Sequence, residues 1–195
     1  MKFDLNNYEY ELNKKDKNIL LKQYITSHSK PKELEIIPSS YIYEGEKYKI
    51  KLDEDCFRFT NIKKVKIEEG IEEIPEYCFA YSGIEKIELP NSLKSIGINA
   101  FFLSPLTEIT IPNNVTNIGT YAFCNCKSLI KIKMSDNIIN IGEYAFSKCE
   151  NLTDIKISKN IFDKLKAGNF QPLIYFVIRI HPDLISVLYP ILSMK

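Results

Sequence analysis

Phenylalanine recurs along this chain at a nearly fixed step, and no other feature restricts the fold as much. Phe57, Phe79, Phe101, Phe123 and Phe146 are separated by 22, 22, 22 and 23 residues. Other apolar positions move in register with them. Five residues before each ring stand Leu52, Ile74, Ile96, Ile118 and Ile141. After it come Ile62, Ile84, Leu106, Leu129 and Leu152, then Val65, Ile87, Ile109, Ile132 and Ile155, then Ile67, Leu89, Ile111, Met134 and Ile157. A unit of this length cannot bury an apolar face by itself. Stacked units bury a continuous core, so stability depends on contacts between nearest neighbours.

The columns assign local structure within each unit. Ile132-Lys133-Met134 and its equivalents alternate apolar and polar residues, the signature of a short strand with one buried face. Turn-forming residues follow: Pro90-Asn91-Ser92, Pro112-Asn113-Asn114, Ser135-Asp136-Asn137 and Ser158-Lys159-Asn160. Gly97, Gly119 and Gly142 share one column, which predicts a tight bend or a positive φ. The Ala-Phe segment that follows is expected to form a short helical turn and to place a large ring beside a small residue in the interior.

The five cysteines fit the same periodicity. Cys56 and Cys78 share the column of Ala100, Ala122 and Ala145, where a small buried site accepts either residue. Cys126 and Cys149 share a second column, and adjacent units could bring that pair within disulfide range. A ladder of reduced, buried thiols is the reading preferred here. Cys124 lies outside the pattern and is expected to be the most exposed thiol.

Composition excludes several kinds of chemistry. Lys+Arg is 26 and Asp+Glu 25, a net charge of +1, so no long-range field gathers nucleic acid or an anionic membrane. Arg58 and Arg179 are the only arginines, and His28 and His181 the only histidines. The apolar run at 173–178 is far shorter than the ~20 residues that span a bilayer. No glycine-rich phosphate loop is present, and no nucleophile stands in a recognisable elbow or beside a candidate base. Asp53-Glu54-Asp55 lacks calcium-loop spacing. No cofactor or metal is expected, and a small-molecule substrate is disfavoured. The start, Met1 to Asn7, has no signal-peptide character. That points to the cytoplasm, or to the cell surface or secretion if a leader was trimmed.

Ile118-Gly119-Thr-Tyr-Ala122-Phe123-x-x-Cys126-x-x-Leu129 and Ile141-Gly142-Glu-Tyr-Ala145-Phe146-x-x-Cys149-x-x-Leu152 resemble the BspA-type leucine-rich repeats, over about residues 48–160. Leu89-Pro90 and Ile111-Pro112 match the strand end of that family's pattern. Pro75 and Asp53 depart from it where glycine is expected. The resemblance implies a β-rich solenoid, a right-handed coil of about five repeats. It also implies an N-terminal cap over 1–47, with a hairpin from Tyr10-Glu-Leu12 and Ile19-Leu-Leu21, a further strand at 34–38 and a turn at 44–46. A closing cap over 161–195 would comprise a strand at 174–180 and a helix at 181–189. The whole would be a single capped domain.

Such repeats imply a non-catalytic protein-interaction module, and the family's surface members imply an adhesin that binds host or matrix protein. An intracellular scaffold is the second reading, and a cryptic enzyme the least favoured. The residues expected to face outward between the buried columns are Lys66, Glu88, Thr110, Lys133 and Lys156. Those expected on the flank are Lys64, Lys86, Glu108, Lys131 and Asp154. This ladder is the primary candidate protein-binding surface. Tyr77, Tyr81, Tyr121 and Tyr144, which fall on the opposite, turn-forming side, are the alternative.

Overall fold

The computed structural model describes residues 3–25, 33–134 and 136–156, together with Asp163. The closing strand and helix expected over 161–195, the segment holding His28, and His181 lie outside the described residues.

The hairpin expected near Tyr10 and Ile19 and the strand expected at 34–38 form, and a strand at 40–43 joins them that the pattern did not indicate. A turn of 3-10 helix, Leu5–Asn7, leads into β1 (Tyr8–Asn13) and β2 (Asn18–Tyr24), an antiparallel hairpin. β3 (Glu35–Ile37), β4 (Ser40–Tyr43) and β5 (Glu46–Leu52) follow, and one sheet has the order β1-β2-β5-β4. β3 leaves that sheet and pairs in parallel with the first repeat strand, Glu35 opposite Val65 and Ile37 opposite Ile67. The cap therefore already supplies one strand in the direction of the units. It also places a carboxyl in an apolar column: Glu35 is 1% exposed, and its Oε1 accepts from the Tyr8 hydroxyl at 2.7 Å.

Each unit, numbered 1 to 5 by its phenylalanine, contributes a strand to one parallel row, and units 2 to 5 contribute one to a second. The expected row comprises β6 (Lys64–Ile67), β8 (Lys86–Glu88), β10 (Glu108–Thr110), β12 (Lys131–Lys133) and β14 (Asp154–Lys156). It forms two three-stranded sheets, β3-β6-β8 and β10-β12-β14. The second row comprises β7 (Glu73–Ile74), β9 (Ser95–Ile96), β11 (Asn117–Ile118) and β13 (Asn140–Ile141). It forms one four-stranded sheet. Two-residue strands carry too little alternation to be read from sequence, so that row appeared there only as a buried column.

Between the two rows runs an arc centred on the phenylalanine. The rings stack face to face, with centroids 4.9, 5.4, 5.1 and 5.3 Å apart from Phe57 to Phe146 and interplanar angles of at most 11°. The first four are at most 1% exposed and Phe146 3%. The cap extends the stack, since Tyr24 lies parallel to Phe57 at 5.7 Å and Tyr8 meets it edge-on at 5.8 Å. Such pairs contribute about 0.5–1.5 kcal/mol each beyond the burial of their area.

The expected helical turn is not what the arc forms. Three amides of each unit donate to carbonyls of the next: Asp55 N to Glu76 O, Phe57 N to Cys78 O, Phe59 N to Ala80 O, and so through Asn125 N to Ser147 O. Keeping alternate amides parallel forces the residues two before and two after each ring into the left-handed region. Asp55, Tyr77, Asn99, Tyr121 and Tyr144, and Phe59, Tyr81, Leu103, Asn125 and Lys148, have φ between 53° and 62°. A continuous helix could not direct its amides to a neighbouring unit.

The glycine column has a different cause from a positive φ. A Cβ on Gly97 would lie 2.7 Å from Glu76 N and Pro75 C, and one on Gly119 2.5 Å from Gly97 C. Close approach of successive backbones excludes a side chain there. The same amides tie the second row together, Gly97 N donating to Ile74 O and Gly119 N to Ile96 O, each at 2.8 Å. Pro75 occupies this column in unit 2, where β7 is the end strand of its row and an amide has no partner strand to meet.

Phe123→Ala removes a ring held between two others. It is expected to lower the unfolding free energy by about 3–5 kcal/mol, measured by denaturant titration. A loss below about 1 kcal/mol would contradict the stacked column.

Candidate functional site

The strand ladder has the orientation its sequence predicts. Val65, Ile109, Ile132 and Ile155 point inward and are buried, and Ile87 is half-buried. Lys64, Lys66, Lys86, Glu88, Glu108, Thr110, Lys131 and Lys133 are exposed, and Asp154 is half-buried. Registration places the two rows in line: Lys64 opposite Lys86, Lys66 opposite Glu88, Lys131 opposite Glu108 and Asp154, and Lys133 opposite Thr110 and Lys156.

Several of these charges are paired with one another. Lys66 Nζ lies 3.3 Å from Glu88 and Lys131 Nζ 3.0 Å from Asp154, and beside them Lys63 donates to Glu85 at 2.6 Å. That hydrogen bond, with the lysine charge, holds the Glu85 carboxyl below its ordinary pKa. The pairs are exposed, and pairs of this kind contribute little to stability. The face is a mixed-sign ladder in which Lys64, Lys86, Glu108 and Lys133 make no ion pair among the described residues. It is divided where β8 and β10 fail to form a ladder.

The arc carries a second, different surface. Phe59 stacks on Tyr81 at 5.1 Å, Tyr81 meets Phe102 edge-on at 5.4 Å, and Tyr121 stacks on Tyr144 at 5.1 Å. Phe59 is 68% exposed, Tyr144 53%, and Tyr81, Leu103 and Tyr121 between 37% and 41%. Arg58 lies across the start of this ridge. Its Cζ is 4.8 Å from the Phe59 ring centroid, 4.9 Å from Tyr77 and 5.5 Å from Tyr81, and Nη1 donates to Asp55 at 2.9 Å. Sequence columns located the tyrosines, but not the role of Arg58, which acts across two columns and two units.

A groove of about 350 Å³ opens between β5 and residues 70–75, where the cap turns away from the units. Lys49, Lys51, Glu72 and Glu73 stand on its walls. Among the described residues no group of three or more His, Cys, Asp or Glu side chains could hold a metal ion, and no helix is long and apolar enough to cross a membrane.

These repeating units match a model of known protein families. The BspA type leucine rich repeat region matches in six copies over residues 50–171. The chain belongs to the BspA-type leucine-rich repeat family. The match runs past residue 160, and its last copy reaches residues outside those described.

Solved structures of similar fold include a leucine-rich repeat protein of T. pallidum, 21% identical, with a TM-score of 0.69 over 80% of this chain and 72% of that one. A leucine-rich repeat protein of Bacteroides ovatus is 21% identical with a TM-score of 0.53, covering 83% of this chain and 54% of that one. One from Bacteroides capillosus is 19% identical, TM-score 0.52, covering 80% and 97%. At these identities the likeness is one of fold. No curated protein matches the chain.

The BspA-type pattern includes a cysteine column whose role the geometry explains. All five cysteines are buried, and none is in a disulfide. Cys126 Sγ donates to Phe101 O and Cys149 Sγ to Phe123 O, each at 3.0 Å, so each thiol ties its unit to the one before. The same column holds Thr60, Ser82 and Ser104, all buried. Thr60 and Ser82 donate instead to Phe57 O and Phe79 O of their own unit, each at 2.7 Å. Their common place three residues after each phenylalanine was visible in the sequence. Cys124 is the most accessible thiol, as its irregular position suggests, yet only 5% exposed.

Lys133→Glu, an exposed change on a strand whose fold rests on inward residues, is expected to alter stability by no more than about 0.5 kcal/mol in denaturant titration. Unfolding would mean that the strand faces the other way.

Burial pushes the Cys126 thiol from its ordinary value of 9.0 up to about 12, and raises Cys56 and Cys78 as well. Above the unfolded value the folded state holds more protons than the unfolded one, so stability decreases as pH rises. Thermal melts are expected to show a constant melting temperature between about pH 6 and pH 8 and a reversible fall from about pH 9 upward. Cys126→Ala should reduce the slope of that fall.

Proposed function

We propose that the chain is a non-catalytic protein–protein interaction module that binds through its exterior. The observation that carries this reading is the core, which repeating side chains fill throughout the described units, Phe57 through Phe123 being at most 1% exposed. Chemistry on a substrate needs a concave pocket with converging polar groups. Regular exposed ladders serve instead for binding macromolecules over an extended surface.

The strand ladder from Lys64 and Lys66 to Asp154 and Lys156 is the first binding surface in this proposal. Its partner is a protein, since the balanced charge disfavours nucleic acid. The right-handed sense of the coil, and closure of the stack by a strand and helix within 161–195, belong to the same reading. So does the compartment. A surface adhesin and a cytoplasmic scaffold use the same face, and fractionating the cells that make the protein separates the two.

A protein captured from host or own-cell lysate by the wild-type chain is expected to be lost with the triple variant Lys131→Glu, Lys133→Glu, Lys156→Glu, at unchanged circular dichroism. Undiminished capture by that variant would remove the strand face from the proposal.

A further inference from the structure

The turn-side column two residues before each phenylalanine is, in unit order, Asp55, Tyr77, Asn99, Tyr121 and Tyr144. All five share the left-handed backbone, so their side chains leave the arc in the same way. Where tyrosines are consecutive, as at Tyr121 and Tyr144, the rings stack at 5.1 Å with an interplanar angle of 12°. Tyr77 and Tyr121 are two units apart. Parallel strands repeat at about 4.8 Å, so these two rings stand about 10 Å apart along the stack, room for one further planar group between them. That step belongs to Asn99, which is too short to fill it.

The chain itself shows what such a step accepts. In unit 1 the column holds Asp55, also too short, and the planar guanidinium of Arg58 lies over Tyr77, with Cζ 4.9 Å from the ring centroid. Arg58 is held there by the Asp55 carboxylate at 2.9 Å. In unit 3 no side chain among the described residues stacks on Tyr77 in this way. The residue equivalent to Arg58 is Phe102, whose ring meets Tyr81 edge-on at 5.4 Å.

Charge separates the two steps. Residues 97–105 and 119–126, the arcs of units 3 and 4, contain no charged side chain, in a chain that is 26% charged. Ile98 and Leu103 flank the step and are 38% and 37% exposed. Asn99 is half-buried, and its backbone amide is used by Thr120 O at 3.0 Å. Its side-chain amide makes no hydrogen bond among the described residues and can donate or accept.

We propose that the notch over Asn99, between Tyr77 and Tyr121, takes a neutral aromatic side chain of the partner protein, an indole or a phenol. The ring completes the tyrosine column, and its N–H or O–H meets the Asn99 amide. A guanidinium would be buried there without the carboxylate that Arg58 has, whereas a neutral ring gives up no charge solvation. Aromatic anchors set in pockets ringed by apolar side chains are the usual centres of protein interfaces. This inference rests on the protein-binding reading above, and adds the chemistry of one contact.

The test is a titration of the 15N-labelled full chain with N-acetyl-tryptophanamide, with N-acetyl-argininamide in parallel. Saturable shifts are expected at the Asn99 side-chain amide and at the backbone amides of Tyr77 and Tyr121, with the arginine compound at least tenfold weaker. Asn99→Tyr should fill the column, preserve or raise the melting temperature, and abolish those shifts. Tyr121→Ala, which removes one exposed wall, should abolish them independently.

Shifts confined to other residues, shifts that survive both substitutions, or preference for the arginine compound would overturn the proposal. So would co-sedimentation with phosphatidylcholine vesicles that both substitutions abolish, because the notch would then meet lipid. None of these results bears on capture through the strand face, so the notch can fail while the interaction reading stands.

Discussion

Stacking of one aromatic ring on the next holds the structure together. Phe79, Phe101 and Phe123 each stack on the ring before and the ring after. The strands are only two to four residues long in the repeats, too short to persist alone. They form because the rings fix the spacing at which their amides and carbonyls meet. The glycine column follows from the same spacing. Once rings sit about 5 Å apart, backbones on the adjacent side come so close that Gly97, Gly119 and Gly142 have no room for a Cβ.

The cap shows how a repeating stack can be started. Tyr24 and Tyr8 present rings to Phe57, and β3 presents a strand to β6, so unit 1 meets a surface like that of its successors. The imitation is incomplete on the second strand row. There β5 pairs with β2 and β4 instead of with β7, and Pro75 stands where later units need an amide. The polar groove at Lys49 to Pro75 is the gap that results.

What could be read from the chain and what could not divide along a physical line. Burial repeats exactly once per unit, so the phenylalanine, isoleucine and small-residue columns, and the outward Lys133, were legible from spacing. Backbone conformation leaves no such trace. Tyr77, Asn99 and Leu103 have different side chains but the same left-handed φ, imposed by hydrogen bonds to the next unit and not by residue type. The helical turn expected around Ala122-Phe123 therefore gave way to a run of separate hydrogen-bonded turns, Ala122 N to Gly119 O, Cys124 N to Tyr121 O and Cys126 N to Phe123 O. Contacts between columns were equally hidden. Arg58 engages Phe59, Tyr77 and Tyr81 from two units, and Cys126 reaches back to Phe101 O, across distances no single-column argument measures.

The arc hydrogen bonds all run one way. In every step the amide belongs to the earlier unit and the carbonyl to the later one, from Asp55 N to Glu76 O through Asn125 N to Ser147 O. Peptide dipoles aligned in this manner add, as they do along a helix. The turn side is therefore polarised lengthwise, positive toward the Phe146 end and negative toward the cap, although its outward side chains are largely uncharged. The second strand row runs the other way, Gly97 N to Ile74 O and Gly119 N to Ile96 O, so the dipoles of the two sides oppose one another and the polarisation stays local to the turn side.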